Sequence, residues 1–414
     1  MRIFIAVLIL FAFNFANGQE DFYHEDYVYQ ENIKSVKFYA GNNPLSYPVS
    51  NLKGITLHFE FDDIDGDSKN YYYKIVHCDM DWNISDEITE EDFLDGFNGE
   101  EIKDSKSSSF TLLQYTHYRL RLPNENTKWL LSGNYLLIVY DENDDVVITR
   151  RFLVVENKLK IMAELDHAKD VSRYRTAQSI QIVLNNKDFR IVDPLKELKV
   201  TVLQNDKWID AIRDVSPKYL VGDNIKFDAF DPFVFEALNE FRYFDSRSLR
   251  YTNLEIQSID VRRRGVEVVL EEDNVRRFSN YFFHKDLNGN YLFLNHDNPN
   301  AAISSEYTNV TFTLKTNAPL LDQDVYVIGG FCDWQLYEEN KLNYDKELEA
   351  YTGRILFKQG VFDYYYATVD KDENINLSNL EGSWYQTQND YTILVYLRPF
   401  GGLYDRLVGI KVIE

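Results

Sequence analysis

A period of two in the apolar residues, repeated along most of the chain, constrains this sequence more than any other feature. Ile55, Leu57, Phe59 and Phe61 fall on one side of an extended chain, while Thr56, His58 and Glu60 fall on the other. Tyr118, Leu120 and Leu122 alternate with Arg119 and Arg121. Ile180, Ile182 and Leu184 repeat the pattern, as do Val310, Phe312 and Leu314. Successive side chains of a strand point to opposite faces, so each segment reads as a strand with one face on a core and one in water. Composition agrees: 30 Tyr, 28 Phe and 5 Trp make 15% of the residues aromatic, and such side chains fit a pleated, half-buried surface. Polar clusters punctuate the strands. Asp141 to Asp145 is expected to join two strands as a hairpin, and Asn288-Gly289-Asn290 is a second hairpin signal. The expected class is all-β, in tandem immunoglobulin-like or early-set β-sandwich domains.

Length sets the number of units. At roughly 100–200 residues per domain, a chain of 414 residues holds two to four. Arg2, the apolar run Ile3 to Phe13 and the small residues Ala16-Asn17-Gly18 read as a signal peptide over 1–18, too short to span a bilayer. Changes of pattern near 157 and 305 divide the rest into an N-terminal sandwich (19–156), a middle β-rich unit (157–305) and a C-terminal early-set-like sandwich (306–414). No later segment is apolar enough to insert into a membrane.

The formal net charge is −23, which disfavours nucleic acid and anionic lipid surfaces as partners. Cys78 and Cys332 are the two cysteines, too far apart in the expected domains to act as a disulfide framework. No nucleophile motif or phosphate-cradling glycine loop is present. His77 and Cys78 are adjacent in an apparent strand and therefore face opposite ways, which argues against a thiol–imidazole pair. The seven histidines lack metal-ligand spacing. Asp62-Asp63-Ile64-Asp65-Gly66-Asp67 offers oxygen ligands but lacks the closing glutamate of a calcium loop, and reads as an acidic turn. Arg262-Arg263-Arg264 is a basic island that reads equally as a contact for an acidic partner or as a solvated edge. No catalytic residue, metal or cofactor is expected, nor is a small-molecule ligand.

Two resemblances refine this. Gly329-Gly330-Phe331-Cys332-Asp333-Trp334, followed by Gly360-Val361-Phe362-Asp363-Tyr364-Tyr365-Tyr366, resembles early-set modules that include glycogen-binding domains. That likeness implies Trp334 as a candidate sugar-stacking residue and a carbohydrate-binding protein as the alternative function. A longer set runs through Ser46-Tyr47-Pro48, Leu57 to Asp63 (LHFEFDD), Tyr71 to Trp82 (YYYKIVHCDMDW) and Leu94-Asp95-Gly96-Phe97. It continues through Tyr115 to Leu120, Ser132-Gly133-Asn134-Tyr135, Thr149-Arg150-Arg151-Phe152 and Tyr404-Asp405-Arg406-Leu407. In order, these motifs resemble the plug family of the type IX secretion system, the export machine of Bacteroidetes outer membranes. The resemblance implies a periplasmic protein that docks on a very large outer-membrane β-barrel translocon and keeps its channel shut between substrates. Interface anchors are typically Tyr, Trp and Arg, which makes Trp82, Tyr115, Tyr118 and Arg119 the candidate docking residues.

Overall fold

The computed structural model describes residues 22–227 and 230–414, and the expected signal peptide lies outside them. The fold is nearly all β, in three sandwich-like units, each around its own aromatic core.

The first unit packs two sheets face to face. One has the order Tyr27–Val28, Val146–Val155, Gly133–Tyr140, Tyr72–Cys78, Glu100–Glu101, and the other Ile33–Ala40, Leu57–Asp63, Thr116–Leu122, Asp104–Ser107. Leu57, Phe59 and Phe61 are fully buried between them, as the alternation requires. Ile55 departs from it: this residue precedes the strand and is exposed. The central strand Gly133–Tyr140 (GNYLLIVY) has no alternation because both its faces are covered. Its outer side, with Cys78, Met80, Trp82 and Leu153, packs on Leu203, Trp208, Leu394, Tyr396 and Leu407 of the second unit.

The second unit pairs Lys160–His167 with Ala177–Asn185 in one sheet. Its other sheet has the order Lys207–Val215, Leu198–Gln204, Tyr391–Leu397, Arg406–Ile413. The last two strands return from the far end of the chain. The third unit is therefore an insertion between Val234–Glu236 and Tyr391–Leu397, built on one long sheet that curls around Phe244, Phe312, Phe357, Phe362 and Tyr364.

This arrangement corrects the expected boundary at 305. Gly265–Leu270 pairs in parallel with Tyr307–Lys315 inside a single sheet, so the cut would divide one core. Nor does 306–414 form one unit, since Tyr391–Leu397 pairs with Leu198–Gln204. A strand's pattern reveals that it is a strand, whereas its partner is chosen by the tertiary fold. The hairpin expected at Asn288-Gly289-Asn290 is likewise a turn without a preceding strand. Residues 276–287 make their hydrogen bonds elsewhere, as described below.

Candidate functional site

The residues singled out from sequence are nearly all turned inward. Trp82 is 1% exposed, Tyr115 0% and Tyr118 1%, so none of these side chains can reach a partner. Their role as docking anchors is corrected on that ground. Trp82 lies edge to face with Trp208 of the second unit, ring centroids 5.0 Å apart. The Tyr115 hydroxyl donates to the Ser305 carbonyl of the third unit at 3.0 Å. Tyr118 stacks on Phe61, 5.0 Å between centroids, within the first core. Arg119 is half-buried and pairs with Asp104 at 3.0 Å. Trp334 is 9% exposed. Phe241 meets it edge on, and the Lys207 ammonium lies 5.3 Å from its ring centroid, so the ring is packed inside the molecule on the wall of an inter-unit cavity and is not displayed on the outer surface.

These buried aromatics are part of a system that fixes the three units to one another. Between the first and third units, the Lys358 ammonium donates to Asp62 at 2.6 Å, with both side chains nearly inaccessible. The Tyr307 hydroxyl donates to the same carboxylate at 2.7 Å, and His117 Nδ1 lies 2.7 Å from its other oxygen. Burial alone would raise the Asp62 pKa, but Lys358 and His117 outweigh it and hold the carboxyl below its usual value. Arg150 of the first unit pairs with Asp333 of the third at 2.8 Å. Between the first and second units, Glu156 accepts from Arg406 at 2.9 and 2.8 Å, and Trp208 Nε1 donates to the Tyr47 hydroxyl at 2.6 Å. Units joined by apolar contact and satisfied buried charges behave as one body rather than as beads on a linker.

Other candidates resolve simply. His77 is buried, with Nδ1 2.8 Å from Ser85 Oγ and Nε2 3.2 Å from the Ser132 carbonyl, and among the described residues no carboxylate hydrogen-bonds its ring as in a hydrolase triad. Cys78 lies on the opposite side of the strand, where burial pushes its thiol up to about 12. Asp63, Asp65 and Asp67 could together face a cation, but the Lys69 ammonium lies on them, 3.0 Å from Asp63 and 3.6 Å from Asp67. Arg262 to Arg264 form an exposed strand end and turn, with Arg262 paired to Asp260 at 2.6 Å.

The surface with the anatomy of an interface lies in the third unit. Residues 276–285 (RRFSNYFFHK) expose Phe278 at 90%, Phe282 at 77% and Phe283 at 49%. The loop that carries them is pinned from beneath. Arg276 pairs with the buried Glu381 at 2.7 Å and donates to the Glu240 carbonyl at 2.8 Å. The Tyr281 hydroxyl donates to Glu240 and to the Gln386 carbonyl. His284 Nε2 lies 2.6 Å from the Phe241 carbonyl, and Asp286 accepts from Phe241 N–H at 2.6 Å. Tyr243, 5.8 Å from His284, links this loop to a second one that exposes Tyr251 and Leu254. Arg277 lies over Phe278, 5.4 Å from the ring centroid, and Lys285 is exposed. A pinned loop that displays aromatic side chains beside positive charge suits protein recognition, because little backbone freedom is lost when it is covered. Sequence reasoning missed this loop. Its signal was a run of aromatics without period two, flanked by basic residues in an acidic chain.

The fold defines a multi-unit β-sandwich protein joined into one body. The crystal structure of a hypothetical protein from Parabacteroides merdae ATCC 43184 is similar over 94% of this chain and 98% of that one, at 31% identity and a TM-score of 0.89. A biofilm-associated protein BSP domain aligns at 10% identity over 94% of this chain and 60% of its own, with a TM-score of only 0.17. No curated protein matches the chain. Residues 33–156 match the model of the type 9 secretion system plug protein first domain. By this first domain the chain is a plug-family protein of the type IX secretion system. Among the described residues no helix is long and apolar enough to cross a membrane.

Proposed function

We propose that this protein is exported to the periplasm and docks on the periplasmic mouth of the type IX outer-membrane β-barrel translocon, holding the channel closed while no substrate passes. The observation that carries the reading is the match of residues 33–156 to the plug first domain, in a chain whose third unit is joined to it by buried ion pairs and whose second is joined by apolar packing and the Glu156–Arg406 pair. Closing a wide pore calls for a bulky body with a large complementary surface, not a reactive site. Release requires that the plug bind the closed channel better than the open one. The pinned loop 276–285 is the surface we assign to this contact. Its positive charge and exposed Phe side chains fit an apolar, acidic rim on the barrel.

The test is a deletion strain. Outer-membrane permeability to a large antibiotic should rise and be restored by the whole protein, while the native protein should co-purify with the barrel. Unchanged permeability, with the translocon present and unoccupied, would defeat the reading.

A further inference from the structure

A cavity of about 610 Å³ lies where the three units meet, and among the cations on its wall Arg151 and Arg213 form no ion pair with a described residue. Arg151 comes from the first unit and Arg213 from the second. Both guanidiniums lie on Trp208, 5.4 and 5.2 Å from its ring centroid. Each is positioned by a backbone carbonyl. Arg151 donates to His24 at 3.0 and 2.7 Å, and Arg213 donates to Trp208 at 2.9 Å. Among the described residues no carboxylate comes within 4.0 Å of either, although the molecule carries a net charge of −23.

Several carboxylates on the same wall are engaged with other groups, whereas Glu25 forms no ion pair with a described residue and, with Asp81, partly offsets the Arg213 charge from a distance. Asp26 accepts from the Arg151 backbone N–H at 2.8 Å, Asp206 accepts from the Thr392 hydroxyl at 2.8 Å, and Asp333 is held by Arg150 at 2.8 Å. Two like charges on one ring, partly withdrawn from water, repel each other. Burial, and then the Arg151 charge, draw the Arg213 pKa below its ordinary value. An anion between them would relieve that repulsion, and the planar fork of a guanidinium suits a two-oxygen acceptor.

We infer that this cavity is a binding site for an oxyanion of the carboxylate or phosphate type, received by Arg151 and Arg213 beside the Trp208 ring. Such a group comes either from an acidic peptide segment or from a free anion. The cavity adjoins the end of the loop at Lys285, but Arg151, Arg213 and Trp208 lie outside that loop, and neither reading depends on the other.

The full mature chain, labelled with nitrogen-15 on its tryptophan indoles, provides the readout. Signals are assigned by single Trp→Phe variants and followed at constant ionic strength against sodium chloride. Sodium phosphate and a blocked hexaglutamate peptide are titrated separately. The Trp208 indole signal should shift saturably with at least one probe, while Trp129, in the first core, stays in place. Saturation with the peptide alone assigns the site to an acidic chain, and saturation with phosphate assigns it to a free anion. Arg213→Gln should weaken binding roughly tenfold, as expected for losing a charge-assisted hydrogen bond. Arg213→Lys, which keeps the charge but loses the fork, should fall between and covers the case in which the Gln variant does not fold. No saturable shift with either probe, or equal binding by wild type and both Arg213 variants, would overturn the site.

Discussion

Lys358 and Asp62 stand 296 residues apart in sequence and 2.6 Å apart in the fold, and the pair closes the junction between the first and third units. Removing one partner strands the other in a dry site. Lys358→Met leaves the Asp62 carboxylate with His117 and Tyr307 alone, and should lower stability by about 3–5 kcal/mol, the range for breaking a buried pair from one side. The double variant Lys358→Met with Asp62→Asn should recover part of that loss, because no unpaired charge is left behind. Chemical denaturation of the four proteins gives the comparison. Additive losses would show that the two groups do not act on each other.

Glu156 makes a pH prediction with a definite sign. Burial would raise its pKa, but the bonds from Arg406, Lys158 and Ser132 bring the carboxyl down to about 2 from an ordinary 4.5. A depressed carboxyl stabilises the fold above its unfolded-state pKa and loses that stabilisation as pH falls through the window from 4.5 towards 2. Its contribution near neutrality should be on the order of 2 kcal/mol after allowing for solvent screening on the partly exposed Arg406 side of the pair. Glu156→Gln should therefore lower Tm at pH 7 and narrow its gap to wild type at pH 3. A gap that stays constant across that range would contradict the assignment.

The two thiols should be silent in the native protein. Burial pushes both Cys78 and Cys332 up to about 12, and the thiolate is the reactive form. Ellman's reagent at pH 8 should find no thiol before denaturation and both afterwards. A native thiol that reacts within minutes would mean that the strand Tyr72–Cys78 or the turn at Gly330–Cys332 opens readily.

Much of the fold was legible because alternation is local. Leu57, Phe59 and Phe61, or Val310, Phe312 and Leu314, reveal both a strand and its buried face. What was not legible is pairing across distance. Nothing within Tyr391–Leu397 says that it will lie beside Leu198–Gln204 rather than its neighbours in sequence. The same limit applies to the site. Trp82, Tyr115 and Tyr118 have the residue types of interface anchors, but an aromatic beside an inter-unit junction looks the same in sequence as one facing a partner. The exposed Phe278 and Phe282 could have been found, since they sit in a stretch where period two fails. Their exposure depends on the ties from Arg276, Tyr281 and His284 to residues far away in the chain.

Those ties lead to the sharpest test of the docking surface. Phe278 and Phe282 are exposed, so replacing them with Ser should change stability by no more than about 0.5 kcal/mol. If they anchor the barrel contact, each replacement should weaken binding about tenfold or more, as truncating a central aromatic does. Arg277→Glu reverses the charge beside Phe278 and should act chiefly on the association rate and its salt dependence. Arg276→Ala is the control for preorganisation: it removes the tie to Glu381 beneath the loop, so affinity should fall although Phe278 and Phe282 remain. Binding of the purified variants to immobilised translocon, read as association and dissociation rates, separates these effects. Wild-type affinity in Phe278→Ser, Phe282→Ser and Arg277→Glu alike would move the docking surface away from this loop.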